Sequence, residues 1–212
     1  VGMYPGNGAA PVDLTAFPAC GGVLDVIYNP RRTALLQQAE ALGIPCSDGL
    51  PMLVAQAKAA EEHFFGTAID DGENERILAQ LRQETENIVL IGMPGCGKTT
   101  VGQALAQKTG REAIDLDERI AARAGCSIPE IFARGGEAEF RALEQEETAK
   151  AGALSGKILL TGGGVVKTPE NYPSLHQNGR IYHLLRPIEV LPTDGRPLSQ
   201  GADLTAMWAE RE

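Results

Sequence analysis

No apolar run in these 212 residues approaches the roughly 18 positions that a membrane-crossing helix needs. Nor does a basic stretch lead into a short apolar segment at the start, the pattern of a secretory signal. The two absences point to a soluble protein of the cytoplasm. Positive charge is scarce: 19 Lys and Arg stand against 28 Asp and Glu, a formal charge of −9. Residues 1–83 hold 5 basic and 10 acidic side chains, and residues 84–212 hold 14 and 18. Neither part carries the general basic field that binds nucleic acid or an anionic membrane. An anionic ligand must therefore be held by a few specific groups. Cysteine is sparse too. Cys20, Cys46, Cys96 and Cys126 lie far apart, without CxxC metal spacing or the density of a disulfide framework, so reduced thiols are expected. There is no internal repeat, no low-complexity tract and no initiating Met, since Val1 opens directly into GMYPGNGAAP. The chain reads as a piece of something longer.

What is present has the composition of a globular protein, 43% hydrophobic and 22% charged, at a length that allows one or two domains. Residues 22–28, GVLDVIY, are β-branched and apolar and end at Asn29-Pro30, predicting a buried strand and a turn. Val26 then falls at a core position and Tyr28 at the strand's end. Thr33 caps a predicted helix to about Leu42, closed by Gly43. Leu50 to about Phe65 reads as a second helix, with Leu53, Ala57, Ala60 and Phe64 on one apolar stripe, Met52 in the core and Gly66 at the end. Asn74 to about Glu84 places Ile77, Leu78 and Leu81 at the spacing of an amphipathic linking helix. At Ile88–Ile91 a continuous apolar strand begins a second domain, giving boundaries of 1–84 and 85–212. Beyond it, helices at 98–108, 118–124, 128–134, 137–151 and 169–176 alternate with strands at 113–116, 158–160 and 181–185. That alternation predicts an α/β fold with right-handed crossovers and a parallel sheet covered on both faces.

Gly92-Met93-Pro94-Gly95-Cys96-Gly97-Lys98-Thr99 satisfies GxxxxGK[ST] between a buried strand and a helix. The glycines let backbone N–H groups turn inward around a β-phosphate, and the next helix points its positive end there. Lys98 would reach the β- and γ-phosphates, and the Thr99 hydroxyl would ligate Mg²⁺. The motif says nucleotide, but not which reaction.

The acceptor side is less sharply marked. Asp115 and Asp117, two apart at the end of the second strand, are expected to point to one side, near the carboxyl edge where open parallel sheets bind ligands. One carboxylate near Mg²⁺ and one accepting a hydroxyl proton is what phosphoryl transfer to an alcohol needs. A DxD alone is more often a solvated loop pair; its distance after the phosphate loop favours a site. Ser127-Ile128-Pro129-Glu130 is a capping box that starts a helix. Arg141, between Phe140 and Leu143 on a helix, is either a surface Arg paired with Glu144 or a site residue. Thr161-Gly162-Gly163-Gly164 follows the third strand, as a flexible turn or as backbone brought close to a ligand. Asp194-Gly195-Arg196-Pro197-Leu198 has the composition of a mobile lid with one fixed charge.

Taken in order, GMPGCGKTT, the Asp115/Asp117 pair, SIPEIF, GGEAEFRALE, TGGG, GRPL and the Arg of WAERE resemble the shikimate kinase family of P-loop kinases over residues 87–212. The resemblance implies a three-layer parallel sheet, here lacking its last strand, and transfer of the ATP γ-phosphoryl group to the 3-hydroxyl of shikimate. It implies ATP contacts at Gly92, Gly95, Cys96, Gly97, Lys98, Thr99 and Thr100, and Mg²⁺ at Thr99 and Asp115. Shikimate would lie against Asp117, Arg141, Gly162, Gly163, Gly164 and Arg211, its carboxylate on the two arginines, with Arg196 neutralising the transferring phosphate. Lys98, Asp117 and Arg196 are then the catalytic groups.

The first region, through VGMYP, VLDVIYNPRRTALLQQAEALG and DGLPMLVAQAKAAEEHFFG, resembles the end of shikimate dehydrogenases, a partial Rossmann-type segment. That resemblance implies shikimate contacts at Tyr28 and Gln56 and NADP contacts at Val26, Gly49 and Met52. The catalytic Lys and Asp and the cofactor's glycine turn of that family do not occur here, so the expectation is a fragment of a bifunctional dehydrogenase–kinase. The remaining alternatives are an NADP-dependent oxidoreductase and another P-loop kinase of small alcohols, such as a gluconate kinase.

Overall fold

The computed structural model describes residues 1–187 and Leu191. They divide into two compact units, Val1–Glu86 and Asn87 onward. No described helix is long and apolar enough to cross a membrane.

In the first unit, β1 (Val23–Leu24) pairs in parallel with β2 (Cys46–Ser47). Between them runs α1 (Ala34–Ala41), capped by Thr33, whose hydroxyl oxygen accepts from the Leu36 N–H at 3.3 Å. Leu14, Val23, Leu36 and Ala39 form the core. α2 (Leu50–Phe65) stops at Gly66, whose φ of 64° is the left-handed cap that a glycine takes freely. α3 (Asp71–Thr85) follows, capped by Asp70.

Two expectations fail here for local reasons. The predicted strand over 22–28 shrinks to two residues because Asp25 turns the backbone away. Its carboxylate accepts from the Ile27 N–H at 3.1 Å and from the Thr33 hydroxyl at 2.7 Å. Val26 is consequently 68% exposed and Tyr28 51%, neither a core position. On α2 the apolar stripe faces outward: Phe64 is 81% exposed, Leu53 and Met52 are also exposed, and only Val54 is buried. The inward line is Val54, Lys58 and Glu62. Lys58 pairs with Glu62 and Asp71, and the Glu62 carboxylate accepts from the Ile69 N–H at 2.8 Å. Polar ties to the segment leading into α3, rather than apolar periodicity, thus set the rotation of α2.

Among the described residues, the second unit is an α/β fold on a four-stranded parallel sheet. Its elements are β3 (Asn87–Ile91), α4 (Lys98–Thr109), β4 (Ala113–Asp115), α5 (Leu116–Ala124), α6 (Ile128–Gly152), β5 (Ile158–Leu160), α7 (Asn171–His176) and β6 (Gly179–His183). The strand order is β4-β5-β3-β6. Val89 pairs with Leu159 on one side and Ile181 on the other, and Ile114 also pairs with Leu159. Alternation sends Val89, Ile114 and Leu159 to one face, with Ala151 and Leu175, and Leu90, Ile158 and Leu160 to the other, against Leu105 and Ala106. β6 starts two residues before its apolar run because Gly179 and Arg180 already pair with Asn87 and Ile88. Within α6 the two helices expected over 128–134 and 137–151 meet at Gly136, whose φ of 70° and ψ of −165° are not helical and break the run there. Because β3 sits between β5 and β6 while the chain passes first to β4, its carboxyl end opens a crevice of the kind where such sheets bind ligands.

Candidate functional site

The loop leaving β3 curls tightly enough that a side chain on Gly92, with φ of 143°, would stand 2.6 Å from the Leu184 carbonyl. Gly97 opens the 12-residue helix α4 at a φ of 107°, with no side-chain cap at its start. Lys98 Nζ donates to the Gly92 carbonyl at 2.7 Å and the Met93 carbonyl at 3.1 Å, folded over the loop it follows.

A cavity of about 620 Å³ opens in front of this loop. Gly95, Gly97, Lys98 and Thr99 line it, together with Asp115, Asp117, Arg141, Glu144 and Gly162–Gly164. Gly92, Cys96 and Thr100 do not; the Cys96 sulfur packs against Gly92 instead.

Asp115 and Asp117 reach the cavity by a route other than strand alternation. β4 ends at Asp115, which caps α5 by accepting from the Asp117 N–H at 2.9 Å, and Asp117 lies in the first helical turn. A strong N-cap residue ended the strand one position early. Burial, and then the nearby carboxylates of Asp115 and Glu144, push the Asp117 carboxyl up to about 6, against the pull of Lys98 and Arg141.

Arg141 is held on three sides. Its Nη1 donates to Glu144 at 2.7 Å and to the Gly164 carbonyl at 3.2 Å, its Nη2 donates to Glu137 at 2.9 Å, and the guanidinium lies 5.3 Å from the Phe140 ring centre. Glu144 is buried, which raises its carboxyl pKa while Arg141 opposes the rise, and its Oε1 has no hydrogen-bond partner. The glycine turn is packed from outside: a side chain on Gly162 would stand 2.8 Å from Asp117 Oδ1 and 3.2 Å from Glu144 Oε1. One on Gly163 would stand 2.6 Å from the Pro94 ring. The burial of Glu144 was missed by the surface-pair reading of Arg141; the three-residue spacing in FRALE was its signal.

Among the described residues no group of three or more His, Cys, Asp or Glu could hold a metal. Thr99 and Asp115, both of which line the cavity, fit the other mode of Mg²⁺ binding, through one or two protein oxygens plus substrate phosphates. Arg196, the lid segment Asp194–Leu198 and Arg211 lie outside the described residues. In the first unit Val26, Tyr28, Met52 and Gln56 are exposed, and a side chain on Gly49 would overlap the Val26 carbonyl. A cavity of about 250 Å³ there is lined by Arg31, Arg32, Arg82 and Asp48 among others, and by none of those five positions.

The family model of shikimate kinase matches residues 94–212. The shikimate kinase of Geobacter sulfurreducens is 46% identical over 105 residues, covering 50% of this chain and 58% of that protein. That of a Synechococcus species is 41% identical over 128 residues, covering 58% and 65%. The chain thus spans about three fifths of the length of these relatives. Among solved structures, the shikimate kinase of Acinetobacter baumannii in complex with shikimate is 37% identical at a TM-score of 0.50, over 52% of this chain and 62% of that one. The shikimate kinase of Bacteroides thetaiotaomicron is 29% identical at a TM-score of 0.54, over 59% and 77%.

Proposed function

Because this chain belongs to the shikimate kinase family, we propose that it transfers the ATP γ-phosphoryl group to the 3-hydroxyl of shikimate, in the cytoplasm. One observation carries the reading: a single cavity holds Lys98 and the uncapped start of α4 on one side and the Asp117–Arg141–Glu144 group on the other. The first is suited to phosphates and the second to a hydroxyl beside a carboxylate.

In this mechanism Lys98 leaves the Gly92 and Met93 carbonyls for the β- and γ-phosphates, and the amides of Gly95 and Gly97 close around them. Arg141 takes the shikimate carboxylate, and the Gly162–Gly164 backbone approaches the ring, while added side chains on these glycines would press on Asp117, Pro94 and Arg141. Asp117 accepts the hydroxyl proton as the oxygen bonds to the γ-phosphorus and the bond to ADP breaks. Mg²⁺, held by Thr99 and Asp115, would neutralise charge on the phosphates. Arg196 and Arg211 complete the proposed set on the γ-phosphoryl group and the carboxylate.

A coupled assay of ADP release with shikimate, with gluconate and with no acceptor tests the assignment. Turnover that needs shikimate is expected; activity with gluconate alone, or equal turnover without acceptor, overturns it. For residues 1–84 we propose the C-terminal part of the NADP-binding domain of a shikimate dehydrogenase from a bifunctional parent. Its support is the three sequence stretches that resemble that family, with Tyr28 and Gln56 toward shikimate and Val26, Gly49 and Met52 toward NADP. NADP is proposed only for the complete dehydrogenase: in such a parent, protection of the exposed Met52 methyl resonance on adding NADP is the expected result, and an unchanged spectrum there removes the assignment.

A further inference from the structure

Beyond Arg141, α6 carries two buried glutamates, Glu144 and Glu147, one helical turn apart on the same side. Glu144 answers Arg141 of its own helix. Glu147 answers the neighbouring helix: its carboxylate accepts from Arg123 Nη1 at 2.9 Å and lies 3.3 Å from Arg119 Nε, both on α5. Lys150 adds a third cation at 2.7 Å, and Arg123 also pairs with Glu146. The Glu147 side chain is only 5% exposed. A carboxylate so withdrawn from water and answered from two helices differs from a loose surface pair, whose contribution is near zero. It does not line the cavity and has no part in the proposed chemistry.

Its place along the two helices gives it a different role. α5 starts at the Asp115 cap and carries Asp117 in its first turn; Arg119 follows two residues later and Arg123 one turn after that. α6 carries Arg141, Glu144 and then Glu147. Asp117 and Glu144 meet over the α-carbon of Gly162, where an added side chain would touch both. Between the helices lie Ile120, Ile131 and Phe140, an apolar contact that is not directional. Ion pairs with fixed donors and acceptors supply the direction that apolar packing lacks.

We propose that Glu147 is a positioning residue, holding α5 and α6 in the register at which Asp117 and Arg141 receive the acceptor together. The proposal rests on the reading above, in which those two residues hold shikimate.

Calorimetric titration of the protein with shikimate and, separately, with ADP and Mg²⁺ tests it, in the parent and in Glu147→Gln, Arg119→Gln and Arg141→Ala. Glu147→Gln should weaken shikimate about three- to tenfold, Arg119→Gln less and in the same direction, with ADP affinity changed less than about twofold in both. Amide hydrogen exchange should quicken across 116–120 in Glu147→Gln, a readout that does not depend on ligand. Unchanged shikimate affinity in Glu147→Gln, or equal weakening of both ligands, overturns the positioning role. Undiminished shikimate affinity in Arg141→Ala, or no shikimate binding by the parent, overturns instead the reading beneath it.

Discussion

Replacing Asp117 with Asn probes the cavity's electrostatics without any ligand. In the folded protein the Asp117 carboxyl titrates at about 6 rather than 3.8, chiefly because burial disfavours its charge and then because Asp115 and Glu144 stand close. A shift of about 2 units at 1.36 kcal/mol each sets a ceiling of about 3 kcal/mol, which residual water contact lowers to about 1–3 kcal/mol. The sign follows from the raised value. The folded state binds the proton more tightly than the unfolded state, so this group's contribution is whole below about pH 4 and is lost as pH rises through about 6. Asn cannot ionise and escapes that loss. Urea melts followed by circular dichroism should therefore find Asp117→Asn more stable than the parent by about 1–3 kcal/mol near pH 7.5, by about a third of that near pH 4.5, and nearly equal to it near pH 3.5. A variant no more stable than the parent near pH 7.5 would refute the picture of a carboxylate strained by its surroundings. Phosphoryl transfer by the same variant should fall by about 10²-fold or more, since a proton acceptor contributes on that scale.

Lys98→Ala should reduce ADP release in the coupled assay by about 10²-fold or more, because the phosphates lose their one side-chain cation from the loop. Gly164→Ala would set a methyl 2.5 Å from Arg141 Nη2 and push the guanidinium aside; titration should show shikimate weakened about tenfold with ADP binding kept. Asn87→Ala removes a buried side chain that donates to the Leu154 carbonyl at 2.6 Å and accepts from the Lys157 N–H at 2.8 Å. Leaving both backbone groups unanswered should cost about 2–4 kcal/mol, read as a lower urea midpoint.

The parts of the fold that could be read ahead are those whose causes lie within a few residues. The loop from Gly92 to Lys98 is one, since its left-handed glycines, the helix start and the lysine that folds back are contiguous. The limits of α2 are another, set by Pro51 in the first turn and Gly66 at the end. What α2 faces was not legible, because Lys58 and Glu62 are tied to residues several positions past the helix end, and a periodic apolar stripe carries no information on such ties. The strand at β1 failed similarly through one residue, Asp25, whose carboxylate competes for the backbone it belongs to. In the site, the contact of Arg141 with the Gly164 carbonyl spans 23 positions. Residue types alone left Arg141 open between surface and site; only the order of the motifs along the chain favoured the second.

Charge gives the site its remaining logic. Among the described residues, the cavity lining carries Lys98 and Arg141 against Asp115, Asp117, Glu118 and Glu144. Arg141 is already answered by Glu144 and Glu137. A protein of charge −9 thus places an acidic wall where it is proposed to bind a polyphosphate and a carboxylate. The side-chain cations among the described residues do not balance that wall, so Lys98 and the proposed Arg196 need help from groups that attract phosphate without a lysine or arginine. The uncapped amides at the start of α4 are one such group. A divalent cation, which Asp115 is proposed to help hold, would be the other, supplying positive charge beside the nearest carboxylate. Asp117 receives no such relief from either. Its raised pKa is the cost of that position, and it makes Asp117 a better proton acceptor than an ordinary aspartate facing water.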